Sequence, residues 1–200
     1  MKIMIIGASG TIGQAVAAEL AQDHEIVRVG HDNGDYRVDL GSKESIEALF
    51  DAVGPVDAVV STAGAAGFAP LSRLDDDAFE LALSNKLMGQ VNLVRIGKDR
   101  VRDGGSITLT GGILSRQPMP GSAAVSLANG ALESFVKAAG LELDRGVRVN
   151  VVAPAFVKET MEKMGMDPTP GVSAADTAMA YRTAVDGAAT GQTLDVTAYL

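Results

Sequence analysis

Short runs of nearly continuous apolar residues alternate along this chain with longer stretches whose apolar positions recur every three or four residues. The first kind suits strands buried on both faces, and the alternation is the pattern of a parallel sheet covered on both sides by helices. The strand candidates are residues 2–6 (KIMII), 25–29 (EIVRV), 56–61 (VDAVVS), 106–110 (SITLT), 147–152 (VRVNVV) and 192–196 (QTLDV), with a short further one at 36–39 (YRVD). Helices are expected from near Thr11, Ser42, Asp75, Ser122 and Ser173, several opening on a residue able to cap free amides. Turn signals at 54–55 (GP), 103–105 (DGG) and 144–146 (DRG) separate these elements. With no repeat, low-complexity tract or linker, residues 1–200 read as one α/β domain, a doubly wound parallel sheet.

One spacing resists this pattern. Between the second run and YRVD lie only a few residues, HDNGD at 31–35, too few for the crossover helix that normally joins parallel neighbours. The third strand is therefore either vestigial or paired in another way.

The densest signal follows the first strand. GASGTIG (7–13) runs straight into a helix, so Gly7, Gly10 and Gly13 let the backbone turn sharply, and the free amides around Ser9, Thr11 and Ile12 offer a positive helix end to a pyrophosphate. A glycine trio alone is a weak signal; its place between a first strand and a first helix is what points to a nucleotide.

Composition narrows the field. A content of 46% hydrophobic and 21% charged residues is enough for one domain with a substantial core. A net charge of −8 argues against a nucleic-acid partner, so an anionic ligand has to be held by backbone amides or a specific local cation. The chain has no cysteine and only two histidines, His24 and His31, which makes a metal centre an unpromising reading. No stretch approaches the roughly 20 apolar residues of a bilayer span, and a cytoplasmic location is expected.

Taken together, the motifs resemble those of the short-chain dehydrogenase/reductases. Gly7, Gly10 and Gly13 match the family's glycine motif, STAG (61–64) is similar to its Asn-Asn-Ala-Gly, VDL (38–40) to the Asp-Val pair that holds the adenine, RVNVVAPAFV (148–157) to the strand and turn beside the nicotinamide, and TGQTLDV (190–196) to its last strand. The resemblance implies a Rossmann-like fold, a bound dinucleotide and oxidoreductase chemistry on a carbonyl or alcohol. Asp39, Leu40, Ala63, Gly64, Pro154 and Val157 then join the glycine loop as cofactor contacts. After the second strand, Gly30 replaces the acid of NAD-preferring members and His31 stands where NADP-preferring ones carry arginine, so NADP(H) is favoured over NAD(H), with Asp32 weighing against.

The reaction residues depart from the family. Its Tyr-x-x-x-Lys pair aligns with Val125 and Asn129, its serine with Gly112, and its helix asparagine with Lys86. Lysine and asparagine have in effect exchanged helices, and Lys86 with Asn129 is read as a rebuilt pair beside the nicotinamide ribose. The proton donor is left open: Thr110 enters the candidate catalytic set, with Ser115, Ser122, Ser126 and Tyr199 as further hydroxyls. The bland helix at 122–140 reads as a close-packing element, either plain core or the seam of a homodimer or homotetramer through residues such as Ala124 and Ala131. Two functions compete: an NADP(H)-dependent oxidoreductase acting on a small-molecule carbonyl or alcohol, and a non-catalytic NAD(P)-binding sensor or structural protein.

Overall fold

In the computed structural model, which describes residues 1–199 with the side chain of Tyr199 excepted, one sheet of seven parallel strands runs through the molecule. Its order is β3 (Tyr36–Arg37), β2 (Glu25–Gly30), β1 (Lys2–Ile6), β4 (Val56–Ser61), β5 (Val101–Thr110), β6 (Arg148–Ala153) and β7 (Thr193–Asp195). The strand order reverses direction between β1 and β4, so the crevice above their C-terminal ends is the natural ligand position of a doubly wound sheet.

Alternate strand residues feed two cores. Met4, Ile6, Val59, Ile107 and Leu109 face α2 (Lys43–Val53), α4 (Gln90–Gly97) and α5 (Ala123–Glu142). Ile3, Ile5, Ala58, Val60 and Val152 face α1 (Thr11–Leu20) and α7 (Ala174–Asp186). Two short helices complete the chain, α3 (Asp76–Leu81) and α6 (Lys158–Lys163), the latter not foreseen from periodicity. Helices α1 and α7 are also tied by charge: Arg182 donates to the Glu19 carboxylate at 2.6 Å, to the Glu19 carbonyl at 2.7 Å and to Asp23 at 3.0 Å.

Three local expectations need correction. YRVD contributes only Tyr36–Arg37 to the sheet, yet β3 is a true parallel neighbour of β2, with Val29 opposite Tyr36 and Gly30 opposite Arg37. A tight loop replaces the crossover helix because Gly34 takes φ +98° and the Asp35 carboxylate accepts from the Arg28 amide at 2.8 Å. The DGG signal at 103–105 is not a turn between elements but an irregularity inside β5, where Gly104 adopts φ +75° and the pairing with β4 shifts register. Finally, the helix expected from Asp75 is not uniform. Between α3 and α4, residues Ala82–Gly89 form a π-helical segment.

Candidate functional site

The glycine loop is built for close approach. Gly7 has φ +85°, and a methyl group added there would lie 2.9 Å from both the Ala63 amide nitrogen and the Thr62 hydroxyl. One added at Gly13 would lie 2.0 Å from the Gly7 carbonyl, so β1, the loop and α1 close up only with glycine at both positions. Gly10 precedes α1 without any side-chain cap, and no acid lies in the first turn, so the helix offers free amides to an anion. Ser9 and Gly10 are exposed at this tip, Ile12 tucks toward the α1 core, and the Thr11 hydroxyl accepts from Lys163 at 2.9 Å. Lys163, brought over by α6, thus sets a cation beside the N-terminus of α1. Sequence reading missed it, because nothing in periodicity connects residue 163 with residue 11.

Above β1, β2 and β4 lies a cleft of about 350 Å³ lined by Gly7, His31, Val38, Leu40, Gly64 and Asn85 among others. Gly30, Ala63 and Ala65 share its wall. His31 is exposed and contacts Asp32 at 2.9 Å. Asp39 is not part of the wall: its carboxylate accepts from the Gly41 amide at 2.8 Å, leaving Val38 and Leu40 as the apolar contacts. Gly30 cannot become an acid cheaply, since an added methyl would lie 2.5 Å from the Asn33 side-chain oxygen. Pro154 and Val157 hold the far loop, Pro154 accepting from Ile113 at 2.9 Å and Val157 bridging to Val172.

The π-helical segment makes two consecutive residues useful. Within it, Asn85 is partly buried and Lys86 buried, and both reach partners outside their own helix. The Asn85 side-chain oxygen accepts from the Ala65 amide at 2.9 Å, while the Lys86 stem packs on Gly64 and its ammonium donates to the Gly111 carbonyl at 3.4 Å. The segment is pinned by fully buried Gln90, which donates to the Lys86 and Thr110 carbonyls and accepts from the Thr110 amide. Only 8% of Lys86 is exposed, and burial lowers its ammonium from the usual 10.5 to about 8.

Asn129 arrives from α5 at the neighbouring carbonyl. Its amide nitrogen donates to Gly112 at 3.4 Å, and its side-chain oxygen is buried with no partner. Lys86 and Asn129 thus hold successive carbonyls just past the tip of β5, one from each helix, and a side chain at Gly112 would have to displace the Asn129 amide, since an added methyl would lie 2.8 Å from its nitrogen.

The candidate hydroxyls fare differently. Thr110 points to the opposite face of the sheet, where its hydroxyl lies 2.5 Å from the Ser61 carbonyl and 2.6 Å from the buried Tyr181 hydroxyl. That removes Thr110 from the catalytic set, because strand alternation turns its side chain away from Lys86 and Asn129. Ser115 contacts the Gly112 carbonyl and Glu133, and Ser126 donates to Ser122, which also accepts from the Met119 amide. The Tyr199 side chain lies outside the described residues. Among the described residues there is no cluster of metal ligands, and no helix is long and apolar enough to cross a membrane.

Comparison with known proteins agrees with this architecture. A family model described as enoyl-(acyl carrier protein) reductase matches residues 5–194. Hydroxynaphthalene reductase arp2 of Aspergillus fumigatus is 30% identical over 162 residues, covering 78% of this chain but only 59% of that protein, and a 3-oxoacyl-[acyl-carrier-protein] reductase of Mus musculus is 28% identical over 180 residues, covering 80% of this chain and 76% of that one. The solved protein lin1944 of Listeria innocua superposes with a TM-score of 0.93 at 40% identity, over 98% of this chain and 99% of that one. A small-chain dehydrogenase solved in complex with NADPH superposes at 0.85 with 25% identity, over 98% and 95% of the two chains. Glycine loop, switch-point cleft and whole-length superposition converge on one lineage, and the chain belongs to the short-chain dehydrogenase/reductase family of oxidoreductases.

Proposed function

We propose that the protein is an NADP(H)-dependent oxidoreductase that interconverts a carbonyl and an alcohol with a rearranged reaction set. The observation that carries this reading is the pairing of an uncapped α1 N-terminus with the cleft over β1 and β4, a cradle too tight for side chains at Gly7 and Gly13 and provided with one cation, Lys163. Pyrophosphate is held by the loop amides and Lys163, adenosine by Val38 and Leu40, and the nicotinamide ribose by Lys86 and Asn129. A ribose diol complements that last pair, offering donors to the orphan Asn129 oxygen and acceptors to the Lys86 ammonium. When bound, the cofactor supplies or accepts a hydride at the substrate carbon.

The phosphate form is favoured by the cleft's outer end. No carboxylate stands at Gly30 to bind a ribose diol, and Arg37, its register partner in β3, places an exposed cation beside it, with His31 at the rim. The NADPH complex of one structural relative, and the name of a second relative, carbonyl reductase [NADPH] 2 of Sus scrofa, support the same preference. Calorimetry at neutral pH is expected to give tighter binding of NADPH than of NADH, with oxidation of bound NADPH by members of a carbonyl panel; tighter NADH binding rejects the preference, and binding without turnover on any carbonyl favours a sensor.

Self-association is part of the same reading, on a revised surface. Ala124 is fully buried within the chain, in a cluster with Ala82 and Ala128, and cannot form a seam between copies. Half-buried Ala131 and exposed Leu127 and Leu141 of α5 are among the residues open to a homodimer or homotetramer contact.

A further inference from the structure

We propose that Lys86 itself is the proton donor of this reduction, taking over the task of the tyrosine that the chain lacks. The proposal rests on the oxidoreductase reading above and assigns the residue that reading leaves open.

The first support is the hydrogen-bond partners of the candidate hydroxyls among the described residues, which leave out the Tyr199 side chain. Thr110 faces Ser61 and Tyr181 on the wrong side of the sheet, Ser115 is held by Gly112 and Glu133, and Ser122 and Ser126 bind one another. Tyr181 is fully buried beneath Thr110 on the α7 side. Lys86 differs from all of these. Its ammonium carries three N–H bonds and makes, among the described residues, a single long contact, 3.4 Å to Gly111, which leaves at least two protons with no acceptor among them.

The second support is position. The lysine stem crosses Gly64, a wall residue of the cofactor cleft, and its head reaches Gly111, the residue after β5. That is the sheet edge at which the family's reaction takes place, next to Gly112 in the place of the family's serine. The unpartnered, buried Asn129 oxygen belongs to the same corner and has capacity for one more donor.

The chemistry balances without a further reagent. With the reduced cofactor bound, it would supply the hydride at the carbonyl carbon; the C=O π pair would move onto oxygen, and that oxygen would take a proton from Lys86 Nζ. An alcohol, oxidised cofactor and neutral amine remain, and the amine recovers a proton from solvent. In oxidation the neutral amine receives the hydroxyl proton. Burial alone brings the ammonium to about 8, which makes it a far better acid than an ordinary lysine and leaves it protonated at neutral pH. The charged groups on the elements packed around it are engaged elsewhere or exposed: Glu133 of α5 pairs with Ser115 and Arg116, Arg116 also with Asp195, and Asp76, Asp77 and Glu80 of α3 lie at the surface.

Lys86→Arg separates proton donation from charge, since a guanidinium keeps the cation but holds its proton throughout the working pH range. With NADPH and an electron-poor aryl trifluoromethyl ketone as probe, the arginine variant is expected to bind NADPH within about threefold of wild type while turnover falls by at least about 100-fold, the scale of lost general-acid catalysis. Wild-type kcat/KM for reduction is expected to be level below pH 8 and to fall above it. Independently of activity, lysine 13Cε resonances are expected to include one titrating near 8 that is absent from Lys86→Met. The proposal is overturned if Lys86→Arg turns over within about threefold of wild type, if no lysine titrates below about pH 9, or if a protein that binds NADPH reduces nothing. Should wild type fail to bind NADPH at all, the reading of the cleft falls first, and the donor with it. The pH profile and the resonance titration use wild type and hold whether or not the arginine variant folds.

Discussion

Thr110 and Gly111 are adjacent at the tip of β5, and their surroundings are completed in opposite ways. On the α7 side the Thr110 hydroxyl, the Ser61 carbonyl and the Tyr181 phenol form a closed buried chain at 2.5 and 2.6 Å. Burial pushes the Tyr181 phenol well above its ordinary value, the Thr110 contact offsetting part of that, so this chain stays neutral. On the α5 side an ammonium rests on one long contact and an amide oxygen has none. A satisfied polar chain holds a fold together, whereas an unsatisfied one costs stability until a ligand completes it.

The largest expected effect comes from neutralising the open side. Lys86 has a folded-state value of about 8 against 10.5 unfolded, so its charge penalty is fully present below pH 8 and disappears as pH rises through 10.5. Lys86→Met is therefore expected to stabilise the ligand-free protein at pH 7 by about 2–3 kcal/mol in urea unfolding, a gain that vanishes near pH 10.5. A destabilised methionine variant at pH 7 breaks the comparison. On the closed side, Thr110→Val removes a hydroxyl between two buried partners and is expected to cost about 2 kcal/mol while leaving NADPH affinity unchanged. Lost affinity without lost stability sends Thr110 back to the site. The smallest effect belongs to Asn129→Leu, which replaces an orphan acceptor with a hydrocarbon: a change within about 1 kcal/mol in stability, either sign, but clearly weaker NADPH binding by calorimetry.

Most of this arrangement was legible in order and little of it in orientation. The strand runs, the glycine loop and the exchange of lysine and asparagine between helices are written in local spacing, and Lys86 and Asn129 do meet at successive carbonyls. Thr110 was misjudged because strand periodicity tells which residues share a face, not which helix covers that face. Asn85 was missed because its role is a hydrogen bond to the Ala65 amide 20 residues away, which hydrophobic periodicity does not register. β3 defied the crossover rule through Gly34 and the Asp35 carboxylate, a side-chain-to-backbone bond that hydrophobic patterning does not register. Lys163 and Tyr181 are tertiary facts, meeting partners 152 and 71 positions away.

The clamp between α1 and α7 also sets an order of events during folding. Val16, Ala17 and Leu20 of α1 share their core with Tyr181, Ala184 and Val185, and Arg182 closes on Glu19 across 163 positions of sequence. The inner face of α1 therefore stays uncovered until α7, about 150 residues later in the chain, has been made. Contacts this far apart in sequence form late, so the glycine loop that opens α1 is fixed in place only once α7 has docked.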